Sequence, residues 1–308
     1  MSERTWVTEP EEYVSTLSPS TLEMAEAELR EDPFSRKQAL TSLREWIKQN
    51  PKIVNCRLDS GFLLRFLRFK KFSLLQTQEA LERYLLLRQT FGIAFNHFDI
   101  RIPMMEELTD LGYLFPCPQR DSKGRRVIIA RPGVFDLYKF TNADMCRIHG
   151  IVYETLMEDE ENQVRGYVHF ADGQGVGFPY LTLFTIKEAK TLPMRHKEVH
   201  VINAHPSMKF ASKEDMLKSN IIERHILPKE YGGEMPMAEM IALWKEEIKA
   251  KQPVVLSHDK MEVREELFTR QARIGAVSAL KNKNAINCGS EDDNIFGITG
   301  NFRKLEVD

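Results

Sequence analysis

Arg165-Gly166-Tyr167-Val168-His169-Phe170-Ala171-Asp172-Gly173-Gln174-Gly175 is a run of aromatic, β-branched and small side chains that stops at an acid and a glycine-rich turn. It reads as a strand. Two other runs share its character. Arg126-Val127-Ile128-Ile129-Ala130-Arg131 follows the turn Asp121-Ser122-Lys123-Gly124, and Glu198-Val199-His200-Val201-Ile202-Asn203 comes later. Between them, Asp144 to Glu158 and Pro179 to Thr191 place apolar residues at helical spacing. Strands separated by helices cannot close as tight hairpins, so they pair in parallel through crossovers. The fold class expected is α/β, with a mostly parallel sheet flanked by helices.

The residues before this region read as a helical bundle. Ser18-Pro19 opens one helix, with Leu22, Ala25 and Leu29 on a stripe. Asp32-Pro33 opens the next, with a cap and a first-turn proline. Asp59-Ser60-Gly61 precedes a helix rich in Phe, Leu and Arg, and Ser73 starts another that Gly92 ends. Downstream, Ser212 to Arg224 and Met237 to Lys249 are expected helices, the second with Met240, Ile241, Trp244 and Ile248 on one side. The tail turns polar beyond Asn282. The domain expectation is a helical unit over residues 1–95, an α/β unit over 96–252, and a helix with a tail over 253–308.

Composition limits the function classes. The chain has 308 residues, 42% hydrophobic and 29% charged, with a net charge of −2. No bulk basicity marks a nucleic-acid binder, so an anion or membrane site must be a local cluster. The four cysteines have no paired spacing, which argues against a disulfide framework and a cysteine zinc site. With no signal peptide or apolar run of membrane length in view, the expectation is a cytoplasmic monomer that visits membranes transiently.

Four segments carry a family resemblance: Phe62-Leu63-Leu64-Arg65-Phe66-Leu67-Arg68-Phe69-Lys70-Lys71-Phe72; Val168 to Gly175, ending in Asp-x-x-Gly; Val199-His200-Val201-Ile202-Asn203-Ala204-His205-Pro206; and Leu227-Pro228-Lys229-Glu230-Tyr231-Gly232-Gly233-Glu234. In this order they resemble the CRAL-TRIO lipid-transfer family, in its tocopherol- and retinaldehyde-carrier branch and especially its insect-type members. The resemblance covers about residues 35 to 250. It implies an N-terminal helical bundle and a lipid-binding domain whose sheet floors a hydrophobic pocket under a mobile helix. One departure stands out. Family members follow the Ile-Asn-x-x-Pro strand with a long amphipathic lid helix and another strand, whereas here Pro206-Ser207-Met208-Lys209-Phe210-Ala211-Ser212 passes almost directly to the next helix.

The resemblance implies a carrier of one hydrophobic molecule, of tocopherol, retinoid, carotenoid or related type, with no catalytic residues, cofactor or metal. It places polar headgroup contacts at His149 and Tyr153, four apart and so on one helix face. Leu156, Phe170, Phe178, Leu183, Val201 and Ile202 are the further lining candidates, weighed against plain core packing. It also implies a phosphoinositide patch drawn from Arg68, Lys70, Lys71, Arg195 and Lys197, weighed against ordinary surface. A module that binds phosphoinositide or protein without cargo is the alternative.

Other chemistry reads poorly. Gly173-Gln174-Gly175-Val176-Gly177 lacks the G-x-G-x-x-G spacing of a dinucleotide loop. His196 and His200 lie in a β-branched run, where residues four apart are about 13 Å apart at ~3.3 Å each, too far to share a metal. No G-x-S-x-G elbow is present, and an enzyme using His149 or Asp172 has no nucleophile loop to work with. The acids from Glu154 to Glu161 read as solvated surface.

Overall fold

The computed structural model describes residues 13–176, 192–203 and 222–273. The helix expected over Pro179 to Thr191, most of that over Ser212 to Arg224, the candidates Phe178 and Leu183, and the polar tail lie outside the described residues.

The helical unit forms much as the caps dictate. Helix α1 (Pro19–Met24) runs on into a wider turn, Ala25–Leu29. The Asp32 carboxylate accepts from the amides of Phe34 and Ser35 to start α2 (Pro33–Gln49). Asp59 caps α3 (Ser60–Phe69) in the same way, and α4 (Leu74–Thr90) follows. Gly92 does not end the helical region, because α5 (Gly92–Phe95) restarts there. Helix α6 (Pro103–Asp110) leads into the α/β unit.

A four-stranded sheet forms, its strands lying side by side in the order in which they occur in the chain. Strand β2 (Leu114–Arg120) was not foreseen. It carries Pro116 and Pro118 and pairs antiparallel to β3 (Arg126–Ala130) at the sheet edge, where proline's missing amide costs little. Strands β3, β4 (Tyr167–Asp172) and β5 (His196–Ile202) pair in parallel. Helix α7 (Asn142–Met157) crosses between β3 and β4, starting two residues earlier than expected because Thr141 and Asp144 form a reciprocal capping box. A short helix, α8 (Glu160–Arg165), follows it.

The last long helix, α9 (Met237–Ser257), buries Met240, Ile241, Trp244 and Ile248. It runs through Pro253 and so past the 252/253 boundary expected from sequence. Pro253 and Lys249 are both exposed, so the carbonyl that proline leaves without an amide partner faces solvent. Strand β6 (Glu262–Val263) then pairs antiparallel with β1 (Ile53–Asn55), tying the segment after α9 back to the helical unit.

The seam between the two units is ionic and buried. Arg65 on α3 donates to Glu154 at 2.8 Å and to Glu158 at 2.6 Å, both on or beside α7. Tyr84 donates to the other Glu154 oxygen at 2.7 Å. Arg57 bridges Asp59 and Glu158. Arg68 makes a two-pronged pair with Glu31 and reaches Glu160 and Gln163 on α8. Two surface readings are corrected together here. Arg68, expected in a membrane patch, is fully buried, and so is Glu154, expected in a solvated acidic stretch. Each is a buried charge neutralised by partners, Glu154 by Arg65 across the seam and Arg68 by Glu31 and by Glu160 across it, the condition under which such charges are tolerated.

His258, just after α9, completes the seam. Its Nε2 is 2.7 Å from Arg57 Nη1. A guanidinium can only donate, so this imidazole nitrogen accepts and the ring is neutral, with its proton on Nδ1 toward Glu154 and Tyr84. Burial lowers the His258 pKa. The carboxyls of Glu154 and Glu158, although burial opposes it, are held low by the surrounding guanidinium groups.

Arg65→Met strands Glu154 in the interior and is expected to cost about 3–5 kcal/mol in urea unfolding. Arg101→Met removes an exposed pair with Asp99 and is expected to leave the melting temperature unchanged. In acid, the unfolded chain protonates His258 near pH ~6.5, before the folded state does. Stability is therefore expected to be level above that pH, to fall below it, and to fall more steeply under pH ~4.5, as Glu154 and Glu158 favour the unfolded state's proton uptake. A melting temperature that stays flat from pH 7 to 5 would contradict this assignment.

Candidate functional site

Helix α7 faces the sheet with an uncharged polar file. Tyr113, just before β2, stacks on His149 with ring centres 5.5 Å apart, and its hydroxyl is 3.2 Å from His149 Nε2. His149 stacks on Tyr153 at 5.7 Å. The Tyr153 hydroxyl is 3.5 Å from Nε2 of His169 on β4, whose ring lies 5.0 Å from that of His196 on β5. Burial lowers the His149 pKa to about 4 and that of His169 further, with neighbouring imidazoles adding to the second. Among the described residues no charged group figures in either shift.

Strand alternation decides which expected lining residues share this face. His169 is opposite Val199, and Ala171 is opposite Val201, on the side that α7 covers. Phe170 and Ile202 point to the other face, where Phe170 packs 5.1 Å from the Tyr231 ring. The expected pocket set therefore divides. His149, Tyr153 and Val201 share a side, Phe170 and Ile202 are core residues of the opposite side, and Leu156 is fully buried. Val199, on the same side of the sheet as Val201, is 56% exposed.

His169, His196 and Tyr113 were not singled out from sequence. The signal was there for His169, a ring with two polar nitrogens in an otherwise apolar strand. His196 was weighed only as a partner of His200. The strand reading of that segment holds, since both lie on β5.

The opposite face carries a hydrogen-bonded knot. Asp172 Oδ2 accepts from the Tyr231 hydroxyl at 2.7 Å, while Oδ1 accepts from Asn203 at 2.8 Å and from the Gln174 amide at 3.0 Å. Tyr231 closes a single-turn helix, Lys229–Tyr231, after a similar turn at Arg224–Ile226. Gly232 follows at φ 93°, and a Cβ on Gly233 would sit 1.7 Å from the Leu227 carbonyl oxygen. Glycine is therefore required at both positions, by torsion at the first and by space at the second. Beside the knot a cleft of about 460 Å³ opens, lined by Asp110, Arg131, Asp172, Asn203, Glu230 and Met237 among others. Its walls are largely polar, with their groups already bonded to one another, and it does not coincide with the His149 file.

The expected membrane cations separate as well. Arg195 is buried, donating to the Val164 carbonyl and to Glu28, and Lys197 pairs with the same Glu28 at 3.2 Å. Lys70 lies partly exposed over the Phe69 ring, 4.3 Å from its centre. Lys71 is exposed on a left-handed turn at φ 48°, and burial, with the nearby Arg83 charge, lowers the Lys70 pKa.

Among the described residues no helix is long and apolar enough to cross a membrane, and no group of His, Cys, Asp and Glu has the arrangement of a metal site.

Comparison with known proteins agrees with this architecture. The CRAL/TRIO domain profile matches residues 110–214. The chain is 30% identical over 252 residues to the "Alpha-tocopherol transfer protein-like" protein of Homo sapiens, covering 73% of each chain. It is 27% identical over 251 residues to "Clavesin-2" of Rattus norvegicus, covering 73% of this chain and 77% of the relative, and equally identical to "Clavesin-1" of the same organism, covering 71% of that relative. On this likeness the chain belongs to the CRAL/TRIO family.

Proposed function

We propose that this protein is a non-enzymatic carrier. It binds one hydrophobic molecule on the sheet face beside α7 and exchanges it at anionic membrane surfaces that contain phosphoinositide. The observation that carries the reading is that face itself, where apolar Val199 and Val201 of β5 border a file of uncharged polar rings. Apolar walls with a few orienting polar groups are what a lipid site requires. The relative named for tocopherol transfer supports a prenylated-ring cargo of tocopherol type, and retinoids and carotenoids share the needed length and polarity. Burial supplies affinity at about 25 cal/mol per Å² of apolar area, less the cost of ordering the ligand.

For docking, Lys70 and Lys71 are cations with solvent exposure at the α3–α4 turn. Arg68 is committed inside the fold, and Arg195 and Lys197 are held by Glu28. Docking at the α3–α4 turn favours release by population shift if the bilayer binds the open form more tightly.

Organic extraction of protein purified from cells is expected to yield one stoichiometric lipid, recovered chemically unchanged. Recovery of none would favour a binding module without cargo. Neutralising Lys70 and Lys71 to Gln should weaken sedimentation with phosphoinositide vesicles by about 2 kcal/mol, roughly 30-fold. Full retention of binding would place the docking surface elsewhere.

A further inference from the structure

We propose that Ser73 is a phosphorylation site for a protein kinase that reads basic residues, and that its phosphate switches off membrane docking at the α3–α4 turn. The inference rests on the docking reading above and adds its regulation.

Three observations carry it. First, Lys70-Lys71-Phe72-Ser73-Leu74 places cations three and two residues before the serine and an apolar residue after it. In the whole sequence no other serine or threonine has Lys or Arg at both of those positions. A kinase whose substrate groove is lined with carboxylates recognises such a pair by charge. Second, Ser73 is a partly exposed N-cap whose hydroxyl makes no capping hydrogen bond to α4. Its modification therefore removes no bond that starts the helix, and the phosphate stands at the helix end that tolerates negative charge. Third, the docking cations adjoin it. The Ser73 amide donates to the Lys70 carbonyl at 2.9 Å, which folds the chain so that the serine lies beside Lys70. Arg83 and Glu79 of α4 both act on the Lys70 charge, so the phosphate enters a region where cations outnumber acids.

The turn is built to open. Lys71 and Phe72 both hold left-handed backbone, at φ 48° and 61°, which residues other than glycine adopt at a cost. Extending the turn into a kinase groove relieves that strain. The Ser73 hydroxyl oxygen then attacks the γ-phosphorus of ATP. A P–O bond to Ser73 forms, the bond to the β–γ bridging oxygen breaks, ADP leaves, and the hydroxyl proton passes to a carboxylate of the kinase. The added charge of about −1.5 to −2 offsets Lys70 and Lys71 together. Attraction to an anionic bilayer is lost with them, as in other electrostatic switches.

The test treats the intact protein with the catalytic subunit of cAMP-dependent protein kinase and Mg-ATP, and maps the product by tandem mass spectrometry. Both forms are then sedimented with phosphatidylcholine vesicles with and without phosphatidylinositol bisphosphate. One phosphate is expected at Ser73. The phosphorylated form is expected to bind about 30-fold more weakly, the loss expected of neutralising both lysines. Kinase-treated Ser73→Ala should bind as the untreated protein does. Absence of phosphate at Ser73 overturns the acceptor assignment. Equal binding by both forms, or an equal loss in kinase-treated Ser73→Ala, overturns the switch and leaves the docking reading standing. No binding by the untreated protein overturns the docking reading and the switch with it. The two forms are expected to melt alike by circular dichroism, and a lowered melting temperature in the phosphorylated form would assign its loss of binding to unfolding and overturn the electrostatic account.

Discussion

Arg65 between Glu154 and Glu158 is the constraint on which the arrangement turns. Its guanidinium has no access to solvent and holds α3 of the helical unit to α7 of the α/β unit. Around it, Tyr84, Arg57 and His258 bring in α4, the loop before α3 and the segment after α9. Helix α7 is therefore fixed from one side by charge. Glu154 follows Tyr153 in sequence, about 100° round the helix at 3.6 residues per turn. Fixing Glu154 and Glu158 in the seam sets the rotation that turns His149 and Tyr153 toward β4. The ionic seam and the uncharged file are two sides of one helix, and the first positions the second.

A similar economy governs the opposite sheet face. Asp172, Asn203 and Tyr231 come from three separate strand ends and turns, yet two carboxylate oxygens gather them all. These are residues of the Asp-x-x-Gly, Ile-Asn-x-x-Pro and Tyr-Gly-Gly segments. Arg65 and Arg68, from the fourth segment, anchor the seam. The segments that make the chain recognisable hold its parts together, and the file of uncharged rings lies outside most of them.

That division explains what could be read in the sequence. The strands at Arg126, Tyr167 and Glu198 and the helices at Pro33, Ser60, Asn142 and Met237 follow from period and caps, which are local properties. Strand β2 escaped because Pro116 and Pro118 mask its pattern, and only pairing with β3 at an edge makes them tolerable. Arg68 and Glu154 were each taken for surface because a charged residue in isolation belongs there, and its burial depends on a partner many residues away. His149 and Tyr153 were legible as a helical pair. Their continuation through His169 to His196 required knowing which strand neighbours which, and in what register.

The seam also bears on the chemistry of the file. A lone carboxylate about 10 Å from an imidazole would be worth roughly 1.7 kcal/mol at an effective dielectric of ~20, more than one pKa unit. Glu154 and Glu158 sit within a few turns of His149 on the same helix, so left unpaired they would favour imidazolium at the file. Instead Arg65 and Arg57 neutralise them at hydrogen-bond distance, and neither carboxylate contributes to the His149 or His169 shift. Burial is then free to keep both imidazoles uncharged. An uncharged face beside a row of acids is thus a consequence of where the guanidinium groups were placed, and loss of Arg65 would disturb the proposed site as well as the fold.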